Sequence, residues 1–236
     1  DCAEILGIHL EGIFINIEKK GIHNYEHFLP LTQENFEQLE DDFIKIVTLA
    51  PELDEGLLDY LSSKDIKIQA GHCVGSNLDD CSGVTHLFNA MKGISHRGSS
   101  TALSALIQDR LYTEIIADGV HLSDDIIKLV FKSKPVNRII LISDALPITY
   151  SSKKAAVFAD EKIYYDGIKA TSANGTIAGS TTLLDKIVKI LAKKDLFTVQ
   201  LINNVYDYHN IEIDGDIEWD ENFNIVHVRK GDYFAK

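Results

Sequence analysis

Four short stretches of this 236-residue chain put a metal-competent or titratable side chain where an apolar run ends: His9-Leu-Glu11-Gly12, Gly71-His72, Thr85-His86-Leu-Phe-Asn89-Ala-Met91 and Ile142-Ser-Asp144-Ala145. Glu11, His72 and His86 offer one carboxylate and two imidazoles, a donor set that suits Zn²⁺ or a similar divalent ion and leaves a position for water. Such an ion lowers the pKa of water toward ~7, and a nearby carboxylate can then take the proton and pass it to a leaving group. Asp144 is the candidate for that carboxylate. The donors lie far apart in sequence, and a single His is ordinarily structural. Four strand ends that are all polar are harder to explain by packing, because apolar strands normally run out into Gly, Asn or Ser turns.

The elements that must position these residues follow from periodicity. Short β-rich runs cover residues 5–10, 43–49, 66–70, 84–88, 113–117 and 138–143. Helix-like segments at 32–42, 53–62, 101–111 and 123–131 alternate with them, the last opened by Ser123-Asp-Asp as a cap. Alternation of this kind predicts parallel strands with helical crossovers, and polar residues at the strand ends place the chemistry at one rim of a (β/α)8 barrel. Six units are visible where a closed barrel needs eight. The only Met is Met91 and the chain begins at Asp1, so it is expected to be a barrel incomplete at its N-terminus. After Asp144 the pattern changes to a hairpin over 155–170, a helix over 180–193 and short strands over 211–228. The expected division is a partial barrel, residues 1–200, followed by strands of a small β subdomain, residues 201–236.

Composition narrows the class. The 23 Lys and Arg stand against 36 Asp and Glu, for a net charge of −13, which speaks against a nucleic-acid partner because phosphate backbones are bound by basic stripes. No apolar run approaches the ~20 residues of a membrane span. Three cysteines, Cys2, Cys73 and Cys81, make no disulfide framework in a chain of this size, and a reduced, cytoplasmic setting is expected.

The same stretches, together with Lys19-Lys-Gly-Ile-His23-Asn24, Thr48-Leu-Ala-Pro-Glu52, Ala117-Asp-Gly-Val-His121 and Ala178-Gly-Ser180, resemble the N-acetylglucosamine-6-phosphate deacetylases of the amidohydrolase superfamily. The motifs stand in family order, and Thr-His-Leu-Phe-Asn-Ala-Met is the most specific of them. The resemblance implies that Glu11, His72 and His86 hold one catalytic metal per subunit, Zn²⁺ by expectation, and that Asp144 is the general acid and base. It implies sugar contacts from His23 and His121, with Leu184 lining the sugar pocket. Asn89 and the Ala90 backbone would meet the phosphate, and Arg97 would reach the phosphate in the neighbouring subunit of a homodimer. The implied activity is hydrolysis of the N-acetyl group of N-acetylglucosamine 6-phosphate. Another amidohydrolase acting on an N-acyl or cyclic amide, and a non-catalytic remnant, are the rival readings.

Other residues read as structural. His9 shares a strand side with Glu11 and is expected to pack beside it rather than to ligate, while Cys73 faces away from His72. His27, His96, His209 and His227 match no motif. Two departures from the family also stand out. Ile13 replaces the usual Pro after Glu11-Gly12, and the stretch 73–82 is short for a crossover helix.

Overall fold

The computed structural model describes residues 5–212, 215–231 and 233–235; Cys2 lies outside them. Six strands form one parallel sheet in sequential order: β1 (Ile8–Phe14), β2 (Ile44–Leu49), β3 (Lys67–Ala70), β4 (Gly83–Val84), β5 (Tyr112–Ile115) and β6 (Ile139–Leu141). Parallel strands covered on both faces read as near-continuous apolar runs, and Val47, Leu49, Ile68, Ala70, Val84, Ile115 and Ile139 are buried accordingly. Sequential order is the topology of a (β/α) barrel wall, as the alternation predicts.

The helices α1 (Gln33–Glu37), α2 (Leu57–Ser63), α3 (Thr101–Ile107) and α4 (Asp124–Ser133) cover the outer side. Thr32, Ser100 and Ser123 cap α1, α3 and α4 by accepting from Asn35, Leu103 and Ile126 backbone N–H groups. Helix α1 stops five residues short of its expected end at 42. Glu40, Asp41 and Asp42 would have put three negative charges at its negative dipole end. No helix joins β3 to β4: the chain crosses from residue 71 to 82 as a loop, held where the Arg110 guanidinium donates to the carbonyl oxygens of Cys81 and Leu78, at 2.6 Å each.

Beyond β6, the hairpin region is a three-stranded antiparallel sheet of β7 (Ala155–Phe158), β8 (Glu161–Tyr165) and β9 (Ala170–Ser172), and α5 (Leu184–Ala192) follows. Helix α6 (Gln200–His209) crosses the expected boundary at 200/201 and is not foreseen by the sequence reading. It buries Leu201, Asn204 and Tyr208, and Asn204 Nδ2 donates to the Ile139 carbonyl oxygen of β6 at 2.6 Å. A second antiparallel sheet, β10 (Asp216–Trp219), β11 (Ile225–Lys230) and β12 (Tyr233–Ala235), completes the order. Among the described residues no helix is long and apolar enough to cross a membrane.

Candidate metal centre and active site

Four of the six strands each deliver one group, three of them from just beyond the strand end and Glu11 from the middle of β1, which runs on to Phe14 past the expected end at residue 10. Glu11 lies in β1, His72 two residues after β3, His86 two residues after β4 and Asp144 three residues after β6. Local backbone geometry turns them inward. His72, His86, Phe88, Ala90 and Asp144 all have φ between +34° and +75°, a region that non-glycine residues occupy at a cost and that concentrates where side chains must be aimed. This turn at His86 is also why β4 ends at Val84 and does not run to residue 88.

The donor atoms of Glu11, His72 and His86 all lie within 4.8 Å of one another. Glu11 Oε1 is 2.8 Å from His86 Nε2 and 3.2 Å from His72 Nε2. Both imidazoles are buried and Glu11 is half-buried. Burial would raise the Glu11 pKa, but the two imidazoles override it and hold the carboxyl well below its ordinary value. Burial would likewise lower His86, yet the adjacent Glu11 carboxylate raises it to about 9. A proton thus sits where a cation would serve the same carboxylate. His72 Nδ1 donates to the Lys19 carbonyl oxygen at 2.7 Å, which fixes the tautomer with Nε2 free for a ligand. His86 Nδ1 is buried with no hydrogen-bond partner. These residues fit a divalent cation in donor type and charge, and His72 fits it in tautomer as well.

The remaining predicted residues divide into those at the centre and those apart from it. His23 packs edge-on against His72, ring centroids 5.0 Å apart, and burial lowers its pKa to about 4, keeping it neutral. The contact explains Gly12. Its φ is +98° and an added Cβ would lie 2.5 Å from His23 Nδ1, so only glycine permits the turn after Glu11. His121 Nδ1 donates to Asp118 Oδ2 at 2.8 Å, and Nε2 to the Ala178 carbonyl oxygen at 3.2 Å. Both partners are acceptors, which favours the doubly protonated, positively charged ring. Burial opposes that charge, but the Asp118 carboxylate overrides it and raises the His121 pKa.

Asp144 is exposed at the rim, although the walls around it hold its carboxyl above the usual range. Its carbonyl oxygen accepts from Ser180 N at 2.7 Å. This gives Ala178-Gly-Ser180 a physical role, because a Cβ on Gly179 would lie 2.6 Å from that same oxygen. Leu184, the first residue of α5, lines a cavity of about 400 Å³ with Glu11, His86 and Asp144. Asn89 Nδ2 donates to the carbonyl oxygens of His86 and Leu87, fixing the turn in which Ala90 sits half-buried. Arg97 stands exposed on the loop after Met91.

Of the residues read as structural, His9 and His209 line the same cavity as Glu11, His86 and Asp144. His9 Nε2 pairs with Thr48 Oγ1 at 2.6 Å, and Cys73 and Cys81 are buried and free, burial raising each thiol to about 12. His27 pairs with Asp160 on the surface. The sequence reading misses the Lys19 carbonyl, which no side-chain motif can announce. It also misses Glu114, a fully buried carboxyl whose pKa burial raises to about 7. A glutamate in the apolar run 113–117 was the available signal.

The chain is similar to known proteins of one family. The N-acetylglucosamine-6-phosphate deacetylase of Bacillus subtilis (strain 168) is 35% identical over 190 residues, covering 75% of this chain and 48% of the relative. The human N-acetylglucosamine-6-phosphate deacetylase is 31% identical over 208 residues, covering 79% of this chain and 50% of the relative. The crystal structure of N-acetylglucosamine-6-phosphate deacetylase from Thermotoga maritima superposes with a TM-score of 0.87 at 28% identity, covering 95% of this chain and 68% of that one. The chain belongs to the N-acetylglucosamine-6-phosphate deacetylase family. No family model matches it. It spans about half the length of these curated deacetylases, and the six-stranded sheet is a partial barrel of the deacetylase type.

Proposed function

We propose that this chain hydrolyses the N-acetyl group of N-acetylglucosamine 6-phosphate, releasing acetate and glucosamine 6-phosphate. The observation that carries the reading is the convergence of Glu11, His72 and His86 within 4.8 Å of one another, beside a cavity that Glu11, His86 and Asp144 line together. A divalent cation in that set, Zn²⁺ on this reading, would polarise the amide carbonyl and acidify a water. Asp144 takes a proton from the water as its oxygen attacks the carbonyl carbon, and returns that proton to the amine nitrogen as the C–N bond breaks. His121, oriented by Asp118 and with its pKa raised by that carboxylate, would donate Nε2–H to the developing oxyanion in exchange for its 3.2 Å bond to Ala178. Neutral His23 and Leu184 border the sugar.

The phosphate acts as a remote handle whose binding energy orients the amide. Asn89 and the Ala90 backbone meet it in one subunit and Arg97 reaches it from the other, in a cytoplasmic homodimer. A net charge of −13 confines anion binding to such local groups.

The test is acetate release by the purified chain supplied with zinc. Asp144→Asn should keep its metal and lose ~10²–10⁴-fold in kcat, the range of a general acid or base. More than a third of parental kcat in that variant, or acetate release equal to a zinc-free control in the parent, would overturn the reading.

A further inference from the structure

Behind the metal centre runs a directed chain of buried side chains. Thr48 Oγ1 and Thr85 Oγ1 lie 2.6 Å apart, Thr85 Oγ1 donates to Gln69 Oε1 at 2.8 Å, and Gln69 Nε2 donates to Glu114 Oε1 at 3.0 Å. With Glu114 ionised, the last bond assigns the Gln69 amide, because a carboxylate oxygen only accepts. Gln69 Nε2 also leans on Tyr208 Oη at 3.4 Å, so the Gln69 amide and the Oε1 side of Glu114 are anchored. Glu114 Oε2 is left over.

Among the described residues four buried side-chain polar atoms lack a hydrogen-bond partner: His86 Nδ1, Thr113 Oγ1, Glu114 Oε2 and Thr149 Oγ1. Of the four residues that own them, only His86 and Glu114 line the cavity beneath the metal centre. One orphan is a ring nitrogen of a predicted ligand, and the other is a carboxylate oxygen. Their backbones are already tied, since Leu87 N donates to the Glu114 carbonyl oxygen at 2.8 Å. Buried polar atoms are nearly always satisfied, and an imidazole that gives Nε2 to a cation must keep its ring proton on Nδ1. His72 hands that proton to the Lys19 carbonyl. His86 has no such backbone partner.

We propose that Glu114 is a positioning residue for the metal centre: its Oε2 accepts the Nδ1 proton of His86, directly or through one water, whenever Nε2 is given to a cation. The inference rests on the metal-site part of the proposed function and not on the substrate. Such carboxylate–histidine–metal arrangements fix the ring and raise its basicity.

The experiment is zinc affinity by competition with a chromogenic chelator, in the absence of any sugar. In Glu114→Gln the amide has a single acceptor, which Gln69 claims, and its NH₂ end then confronts the Nδ1 proton. Zinc should bind about 10- to 100-fold more weakly, the cobalt(II) absorption bands should shift as the ring turns, and the metal-free melting temperature should stay at the parental value. Glu114→Asp keeps the charge but withdraws it by one methylene, so an intermediate loss is expected, and it stands in if Glu114→Gln does not fold. Zinc affinity within twofold of the parent in the folded variants, with an unchanged cobalt spectrum, overturns the proposal, as does a parent that binds no zinc. A parent whose zinc binding depends on Glu114 but which releases no acetate sinks the deacetylase reading and leaves this one standing.

Discussion

His72 donates its Nδ1 proton to the carbonyl oxygen of Lys19 at 2.7 Å, so a backbone atom in the turn after β1 decides which nitrogen of a residue after β3 faces Glu11. The link is doubled where Asn16 N donates to the His72 carbonyl oxygen at 2.9 Å. Glu52 Oε1 accepts from both Asn16 Nδ2 and Val74 N, at 2.9 and 2.7 Å, which ties the same two turns together. The ligand set is therefore assembled by three elements at once. Glu11→Ala, His72→Ala and His86→Ala should each reduce zinc content in the purified protein to well below one equivalent. Near-stoichiometric zinc in His86→Ala, by elemental analysis, would rule out this set.

Proton competition gives a second prediction. In the metal-free protein His86 is raised to about 9, so at pH 7 a cation must displace its proton. Displacing one proton makes affinity rise about tenfold per pH unit between pH 7 and that value, and zinc binding measured at pH 7 and pH 8.5 should differ by roughly 30-fold. The same shift has a stability sign. A raised His86 contributes stability that is fully present below its ordinary 6.5 and is lost as pH rises through about 9. A lowered Glu11 contributes above its ordinary 4.5 and is lost only as pH falls through its depressed value. Metal-free melts should accordingly weaken on the alkaline side first, and zinc should cancel that loss. A metal-free melting temperature that climbs between pH 7 and 9 would contradict the pairing.

A third prediction concerns Gly179. A methyl there meets the Asp144 carbonyl oxygen at 2.6 Å, and backbone on both sides cannot yield as a flexible side chain would. Gly179→Ala must push Asp144 off its position. Acetate release should fall by about 10- to 100-fold, since a 1 Å misplacement in an active site costs of that order, while zinc content stays at the parental level because Asp144 is no ligand. Unchanged kcat would mean that the Asp144 carboxylate is positioned by something other than its own peptide.

How much of this was legible in the sequence depends on the range of the interactions. The six strands show because each is an apolar run between polar segments, and Glu11, His72, His86 and Asp144 show because they end such runs. Helix α6 does not show: only Leu201, Asn204 and Tyr208 of its ten residues are buried, too thin a stripe to stand out from a polar background. The chain Thr48, Thr85, Gln69 and Glu114 is invisible for another reason. Its members come from β2, β3, β5 and the residue just after β4, and register brings them together: Thr48 opposes Gln69 and Gln69 opposes Gly83 in the sheet. Pairing across parallel strands leaves no local pattern, so a mid-strand glutamate was the one trace it could leave. The lone atom that orients His72 is a peptide oxygen, for which composition carries no signal at all.

Arg97 provides the last prediction. Its guanidinium is exposed on the loop that follows Met91, and the reading above assigns it to the phosphate of the neighbouring subunit's substrate. Arg97→Ala removes a charge-assisted, bidentate-capable contact worth about 1.5–3 kcal/mol, or roughly 10- to 150-fold in kcat/KM. The loss should appear with N-acetylglucosamine 6-phosphate and vanish with unphosphorylated N-acetylglucosamine, for which parent and variant should behave alike. If the arginine acts across a dimer interface, mixing Arg97→Ala with Asp144→Asn subunits should restore some activity, because one of the two sites in the mixed dimer keeps both residues. Equal loss on both sugars would make Arg97 a structural residue of its loop, and the phosphate handle would then rest on Asn89 and the Ala90 backbone alone.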